Sequence, residues 1–468
     1  MSSTVLTDSI TTYTNKDQEI NKFPPQIYYI VGNEAAERFS YYGMRSILFV
    51  FMTQTLLMPA NEAKSVYHLF ISACYLLPLL GGWLADKYFG KYKTILALST
   101  FYCFGHAVLA MWESKESLFV GLGLIALGSG GIKPCISSFV GDQFTEKNKH
   151  LINRVYDWFY FSVNFGAFFS SLLIPFILPR FGSGVAFGIP GILMGLALII
   201  FYVGRKHYVN MPPTSETGGT SFLTVMFYAL THLGADRKGG DSFIDVARSK
   251  YTIEDVDAAK AAWNIFKLFT VIALFWALFD QQGASWTEQA AKMDLNVFGY
   301  KLEASQIQAM NPIMVMLLIP LFSGWLYPFI TKMGFELTML RKLSIGMLLA
   351  GTSFISMGIF QVLIDGGAKL SVAWQILPYL VLTMSEVMVS ITGLEFAYTQ
   401  APKSMKGTIM SFWLLTVFAG NLLAATVAAL NKFKGPMEFF FFAGLMTAAS
   451  FVFIWVASRY KMRDQLAR

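Results

Sequence analysis

The chain has 468 residues, of which 55% are hydrophobic and only 14% charged, and its mean hydropathy is +0.50. A soluble domain carries about 25% charged residues, so the composition excludes one and indicates a polytopic membrane protein. The formal net charge of +7 is spread over loops, which argues for membrane topology and against nucleic acid as a partner.

Residues 1–26 are polar and read as a cytoplasmic tail without a signal peptide. Twelve apolar spans follow, at 27–57, 65–86, 93–112, 117–140, 151–178, 182–204, 261–290, 305–331, 338–364, 371–400, 405–430 and 436–458. Each is long enough to cross a bilayer or close to it. With the N-terminus inside, inside segments hold 24 of the 36 Lys and Arg residues and outside loops hold 8. That asymmetry places both termini in the cytoplasm. The segment 205–260 divides the spans into bundles at 27–204 and 261–458, and 459–468 forms a cytoplasmic tail. Within the linker, Ser221–Leu233 is apolar but too short to cross; it is read as an interfacial helix or a packed one. Gly82-Trp83-Leu84 and Gly324-Trp325-Leu326 occupy equivalent places in the two halves, a faint internal repeat. Cys74, Cys103 and Cys135 lie in spans without metal-ligand spacing and read as small apolar residues.

The first span carries Glu34, Glu37 and Arg38. At helical pitch these share one face. A charge at mid-membrane costs about 2.5–3.5 kcal/mol on insertion scales, so such residues pair or serve a function. Two glutamates and one arginine sum to minus one, and a single proton neutralises the group. Lys133 and Glu386 are further ionisable residues inside spans. Lys267, near the inner end of its span, reads as a snorkelling lysine.

Gly82-Trp-Leu-Ala-Asp86, followed by Lys87, Gly90, Lys91 and Lys93, resembles the cytoplasmic loop of the major facilitator superfamily, with one extra residue before Gly90. The stretch Glu34-x-x-Glu37-Arg38-Phe39-x-Tyr41-Tyr42-Gly43 resembles the first-helix motif of the proton-coupled oligopeptide transporter family. Phe159-Tyr160 with Asn164 and Gly166 is similar to that family's fifth-helix signature, and Gly130-Gly131-Ile132-Lys133-Pro134 to its fourth-helix lysine region. Asn311-Pro312 and Glu386 also match. Tyr67-His68 and the run from Gly131 to Cys135 look like the animal members. Many bacterial members carry two additional helices between spans six and seven, which the polar segment 205–260 excludes here.

The resemblance implies an all-α membrane protein with the major facilitator superfamily fold, twelve transmembrane helices in two six-helix bundles. It implies a symporter driven by the proton gradient, without cofactor, importing di- and tripeptides across a bacterial inner membrane as a monomer. Peptides of varied sequence share only their ends. Arg38 and Lys133 are the cations available for the carboxylate, Arg being suited to bidentate binding, and Glu386 is the acid for the ammonium. Asn164 and Asn311 add hydrogen bonds. Tyr41, Tyr42, Tyr75, Tyr160, Trp286 and Trp413 are candidate pocket walls, with ordinary helix packing an equal alternative. Glu34 and Glu37 compete for Arg38, so a ligand carboxylate that takes Arg38 frees a glutamate for a proton. Lys133 and Glu386 are expected to pair in one state and separate in another. The resemblance further implies an external gate of Arg45, His68 and Asp280, and an internal lock at Asp86.

Two other readings stand beside this one, a different ligand and a different class of protein. Some relatives are thought to move nitrate or other anions; the two glutamates, the arginine and Glu386 favour a zwitterion. An enzyme or nucleotide-driven pump needs a Ser/His/Asp set, paired metal ligands or a phosphate-cradling glycine loop, and no such pattern is visible.

Overall fold

A computed structural model describes residues 22–145, 148–213, 221–233 and 242–462. Residues 1–21 of the expected N-terminal tail, Gly239-Gly240 and the last residues of the C-terminal tail lie outside them. Helix α1 is Gln26–Val50, α2 Ala60–Leu84, α3 Lys91–Met111 and α4 Lys115–Asp142. One helical stretch, Ile152–Val203, turns at Gly182 (φ +82°), a backbone conformation that glycine adopts freely. The turn divides it into α5 (152–181) and α6 (183–203). The second half comprises α7 (Ile253–Phe279), α8 (Met310–Leu321), α9 (Met339–Asp365), α10 (Val372–Gln400), α11 (Lys406–Leu430) and α12 (Pro436–Ser458). A short hairpin, Asn296–Val297 with Tyr300–Lys301, lies between α7 and α8.

Ten helical segments among the described residues are long and apolar enough to cross a membrane. The turn at Gly182 makes two spans of one of them. The charged helix α1 packs along α5 and completes twelve. Two separate hydrophobic cores form, one from residues of α1–α6 and one from the linker helix and α7–α12. The chain is an integral membrane protein of two six-helix bundles, as the sequence led one to expect.

Glycines set the close approaches in the first bundle. A Cβ on Gly81 would lie 2.2 Å from the Gly130 carbonyl oxygen, and one on Gly131 would overlap Leu98. Helix α4 is thereby drawn between α2 and α3. Single π-helical turns end or interrupt several helices, among them Ala85–Phe89 after α2, Phe322–Leu326 after α8 and Val387–Ile391 within α10. The first two sit at the paired Gly-Trp-Leu tripeptides, so the repeat marks equivalent ends of the second helix of each bundle.

Helix α7 begins at Ile253, eight residues before the apolar run at 261. Thr252 caps it by accepting from the Asp255 N–H, and Val256 and Ala259 are buried while Glu254 and Asp255 stay in water. The helix extends beyond the apolar run because only one of its faces packs. The linker helix Phe222–Thr231 combines both readings of its sequence. Phe222, Val225, Met226 and Ala229 are buried against the second bundle, with Phe222 edge-on to Phe412 at 5.2 Å, and Leu223, Phe227 and Leu230 are exposed.

Candidate functional site

Arg38 Nε lies 2.7 Å from Glu34 Oε1 and 2.9 Å from Glu37 Oε2. Both glutamates are buried, and Glu34 Oε2 and Glu37 Oε1 have no hydrogen-bond partner. Three charges within five residues thus form a compact group on one helix face, and the carboxylates keep unused acceptor capacity. Gly166 explains how α5 closes over this face: a Cβ there would be 2.8 Å from the Ala35 carbonyl oxygen and 3.2 Å from the Phe39 nitrogen.

Lys133 reaches the same region from α4. Its buried Nζ sits 4.3 Å from the Tyr41 ring centroid and 4.4 Å from that of Tyr75, with no hydrogen-bond acceptor. Ring faces attract a cation and leave its three donors available for a carboxylate. The Gly130-Gly131 pair places it there, because only small residues let α4 settle against Leu77 and Leu98.

In the second bundle Glu386 ends the first part of α10, directly before the π turn. Such turns re-aim side chains and are frequent at functional sites. Asn311 Nδ2 donates to Glu386 Oε2 at 2.7 Å and to Thr383 Oγ1 at 3.2 Å. A cavity of about 200 Å³ lies between the bundles, with Tyr42, Tyr75, Asn164, Trp276, Asn311 and Glu386 in its walls. Asn164 Nδ2 donates to the Tyr160 carbonyl at 3.0 Å, and Tyr160 itself is exposed.

Three of the candidate aromatics take the packing alternative in this structure. Tyr41 is buried within the first bundle and faces Lys133. Trp286 is fully buried and packs edge-on to Tyr379 at 4.9 Å and beside Phe354 at 5.5 Å. Trp413 packs on Phe269 and Trp276, over Gly393. These large rings fill helix–helix contacts, and it is Trp276 that reaches the cavity wall. Its position one turn before Asp280 is the signal that spacing offered. The expected Lys133–Glu386 pair is not formed here: Glu386 is held by Asn311, and Lys133 by rings of its own bundle.

The bundles are joined at one end. Arg45 Nη2 lies 2.5 Å from Asp280 Oδ1, and Arg45 Nε donates to the Tyr67 hydroxyl at 2.7 Å. Asn421 Nδ2 donates to Asp280 Oδ2 at 2.7 Å, and His68 Nδ1 lies 2.9 Å from Asn421 Oδ1. The carboxylate accepts only, so it fixes the amide orientation. The amide oxygen then requires a proton on His68 Nδ1. His68 therefore meets Asp280 through Asn421. Neither Asn421 nor Tyr67 was expected in this group. Gly283 makes room: a Cβ there would fall 1.7 Å from the Tyr67 hydroxyl.

Lys64 adds a second layer, at 2.7 Å from Glu288 and 2.6 Å from Glu438, and Ser285 donates to Glu438 at 2.5 Å. Ser72 and Gln308 donate to the Phe418 and Ser46 carbonyls across the same interface. Among the described residues, these inter-bundle polar bonds lie between mid-bundle and this end. At the other end Asp86 is exposed on its π turn and enters no described ion pair. The bond there is Lys91–Asp142 at 2.7 Å, within the first bundle, so the expected lock at Asp86 is not formed.

The chain is 42% identical to the crystallised POT family transporter PepTSo, covering 95% of this chain and 99% of that one with a TM-score of 0.88. It is 27% identical to peptide transporter 3 of Caenorhabditis elegans, over 95% of this chain and 94% of the relative. It is 35% identical to human solute carrier family 15 member 1 over 75% of this chain, and spans about half (54%) of that protein's length. The model of the POT family matches residues 92–435, and with it the chain belongs to the POT family.

Proposed function

We propose that this chain is a proton-coupled symporter importing di- and tripeptides by alternating access, acting as a monomer in a bacterial inner membrane with both termini cytoplasmic. The observation that carries the reading is charge placement on the two bundles: the Glu34/Glu37/Arg38 group and Lys133, which lies behind the cavity-wall ring of Tyr75, on the first, and Glu386 in the cavity wall on the second. Membership in a family whose named relatives are peptide transporters supports it.

In this mechanism Arg38 and Lys133 take the peptide carboxylate and Glu386 takes its ammonium, with Asn164 and Asn311 bonding the backbone. Arg38 exchanges one anionic partner for another when the peptide arrives. The glutamate it releases stands buried without its cation and binds a proton, because burial disfavours the charged carboxyl. Peptide and proton then favour each other, and the coupling is reciprocal. Outward opening breaks the Arg45–Asp280 contact and the Lys64 bridges together, and the bundles rock about the cavity. Glu386 in the cavity wall disfavours a bare anion such as nitrate, which brings no ammonium to it.

The test is uptake of labelled dialanine into proteoliposomes under an inward proton gradient with an inside-negative potential. Uptake that tripeptides compete and free alanine does not is the expected result; nitrate uptake with no peptide uptake overturns the reading. Glu37→Gln is expected to abolish proton-driven accumulation and to leave peptide counterflow. Unchanged accumulation removes Glu37 from the coupling.

A further inference from the structure

Lys267 of α7 has no part in the mechanism above. It sits in a groove of about 430 Å³ on the outside of the second bundle, where α7 and the end of α12 meet, together with Asn264, Trp455, Arg459 and Lys461. Three cations, one from α7 and two from the segment directly after α12, line it. No described acidic side chain lines the groove, and none of the three cations enters a described ion pair. Snorkelling accounts for one lysine. It does not account for an arginine and a second lysine lining the same groove, since like charges near one another repel.

The surroundings specify what balances them. The Arg459 guanidinium lies 4.0 Å from the Trp455 ring centroid, which holds the fork flat and leaves its edge donors free for a tetrahedral anion. Asn264, one turn before Lys267, offers a neutral donor. Beyond the groove the same side of α12 is apolar and exposed, with Phe451, Val452 and Trp455 each at least half exposed. An aqueous anion would leave that apolar strip uncovered. A molecule with a phosphate at one end and acyl chains at the other covers both. Basic pockets between spans at the cytoplasmic headgroup level bind such lipids.

We propose that the groove between α7 and α12 binds the phosphate headgroup of an anionic phospholipid, whose acyl chains lie along the exposed face of α12. The full chain, purified and stripped of lipid in neutral detergent, is melted with added phosphatidylglycerol, phosphatidylcholine or inorganic phosphate. Phosphatidylglycerol is expected to raise Tm by roughly 2–3 °C over phosphatidylcholine, the size of shift a saturating specific ligand gives. The double variant Lys267→Gln/Arg459→Gln is expected to lose that difference, and Lys369→Gln, an exposed lysine elsewhere, to keep it. Equal shifts with both lipids, or a shift retained in the double variant, overturn the proposal. Inorganic phosphate alone giving the full shift also overturns it, by assigning the groove to a soluble anion. Should the double variant fail to fold, native mass spectrometry of Arg459→Gln decides: fewer retained phosphatidylglycerol adducts support the site, and wild-type adduct numbers overturn it.

Discussion

Helix α1 carries two arginines two turns apart, Arg38 and Arg45, and they are satisfied in opposite ways. Arg38 is bonded by Glu34 and Glu37 of its own helix. Arg45 is bonded by Tyr67 of α2 and by Asp280, which follows α7 in the other bundle. A local partner would move with the arginine if the bundles rock as proposed, so the Arg38 group would persist through that motion. Its excess carboxylate leaves it open to exchange. In the proposed mechanism a partner across the interface would be lost when the bundles part, which would make Arg45 a clasp of the closed arrangement. One residue type on one helix thus serves a carried charge group and a state-dependent contact, and the difference lies wholly in where the partner is attached.

The largest test breaks the clasp. Removing one member of a buried ion pair costs about 3–5 kcal/mol. Asp280→Ala is therefore expected to shift the closed-to-open ratio of this end by roughly a hundredfold or more. Cysteine accessibility at introduced position 424, a buried alanine at this end outside the polar contacts, reads that shift, and unchanged labelling refutes the clasp. Gly283→Ala approaches the same contact sterically. A methyl 1.7 Å from the Tyr67 hydroxyl forces that ring off Arg45, and overpacking of this kind costs about 1–3 kcal/mol. Labelling is expected to rise, and Gly283→Ala combined with Tyr67→Phe is expected to recover little, because the ring still occupies the space.

Arg38→Lys sharpens the other side of the comparison. A lysine lacks the planar fork that meets two carboxylates at once, and loss of one charge-assisted bond is worth about 1.5–3 kcal/mol. Peptide affinity is expected to fall roughly tenfold or more with labelling at the clasp unchanged. Altered labelling would show that the two arginines act as one group. Asp142→Asn, which breaks a bond within a single bundle, is expected to change transport by less than about twofold, since an isolated, half-buried pair contributes about 0–1 kcal/mol.

The smallest effect concerns the linker. Burial pulls the Asp245 carboxyl upward, but bonds from Lys260 and the Ser242 N–H, with Arg248 nearby, hold it below the ordinary carboxylate range. The folded carboxyl gives up its proton more readily than the unfolded one. Its contribution is therefore full above the unfolded pKa of about 3.9 and is lost as pH falls through the folded value. Thermal melts of wild type and Asp245→Asn are expected to differ at pH 7 and to converge as the pH is lowered below 4.

Much of this was legible without coordinates, for a physical reason. A bilayer requires long apolar helices, so composition and run length gave twelve spans and their division. Helical pitch alone brought Glu34, Glu37 and Arg38 to one face. The helix edges were blurred where only one face packs, as at Ile253. The aromatic walls could not be assigned, because 16% of the chain is aromatic and pitch does not say which ring faces a cavity and which a neighbouring helix. Trp286 and Trp413 went to packing, and Trp276 to the wall.

Residues far apart in the chain were decided by tertiary structure alone. Nothing local in Asn421 announces that it relays Asp280 to His68, 141 residues from one and 353 from the other. Likewise Lys64 meets Glu438 only because α2 and α12 approach at the closed end. The pairing of Lys133 with Glu386 depends on how far the bundles are apart, and here each is held within its own bundle. The sequence determines which charges must be buried, because their residue types and spans are written in it. Only the folded arrangement decides which of them meet, because that depends on the distance between helices the chain does not connect directly.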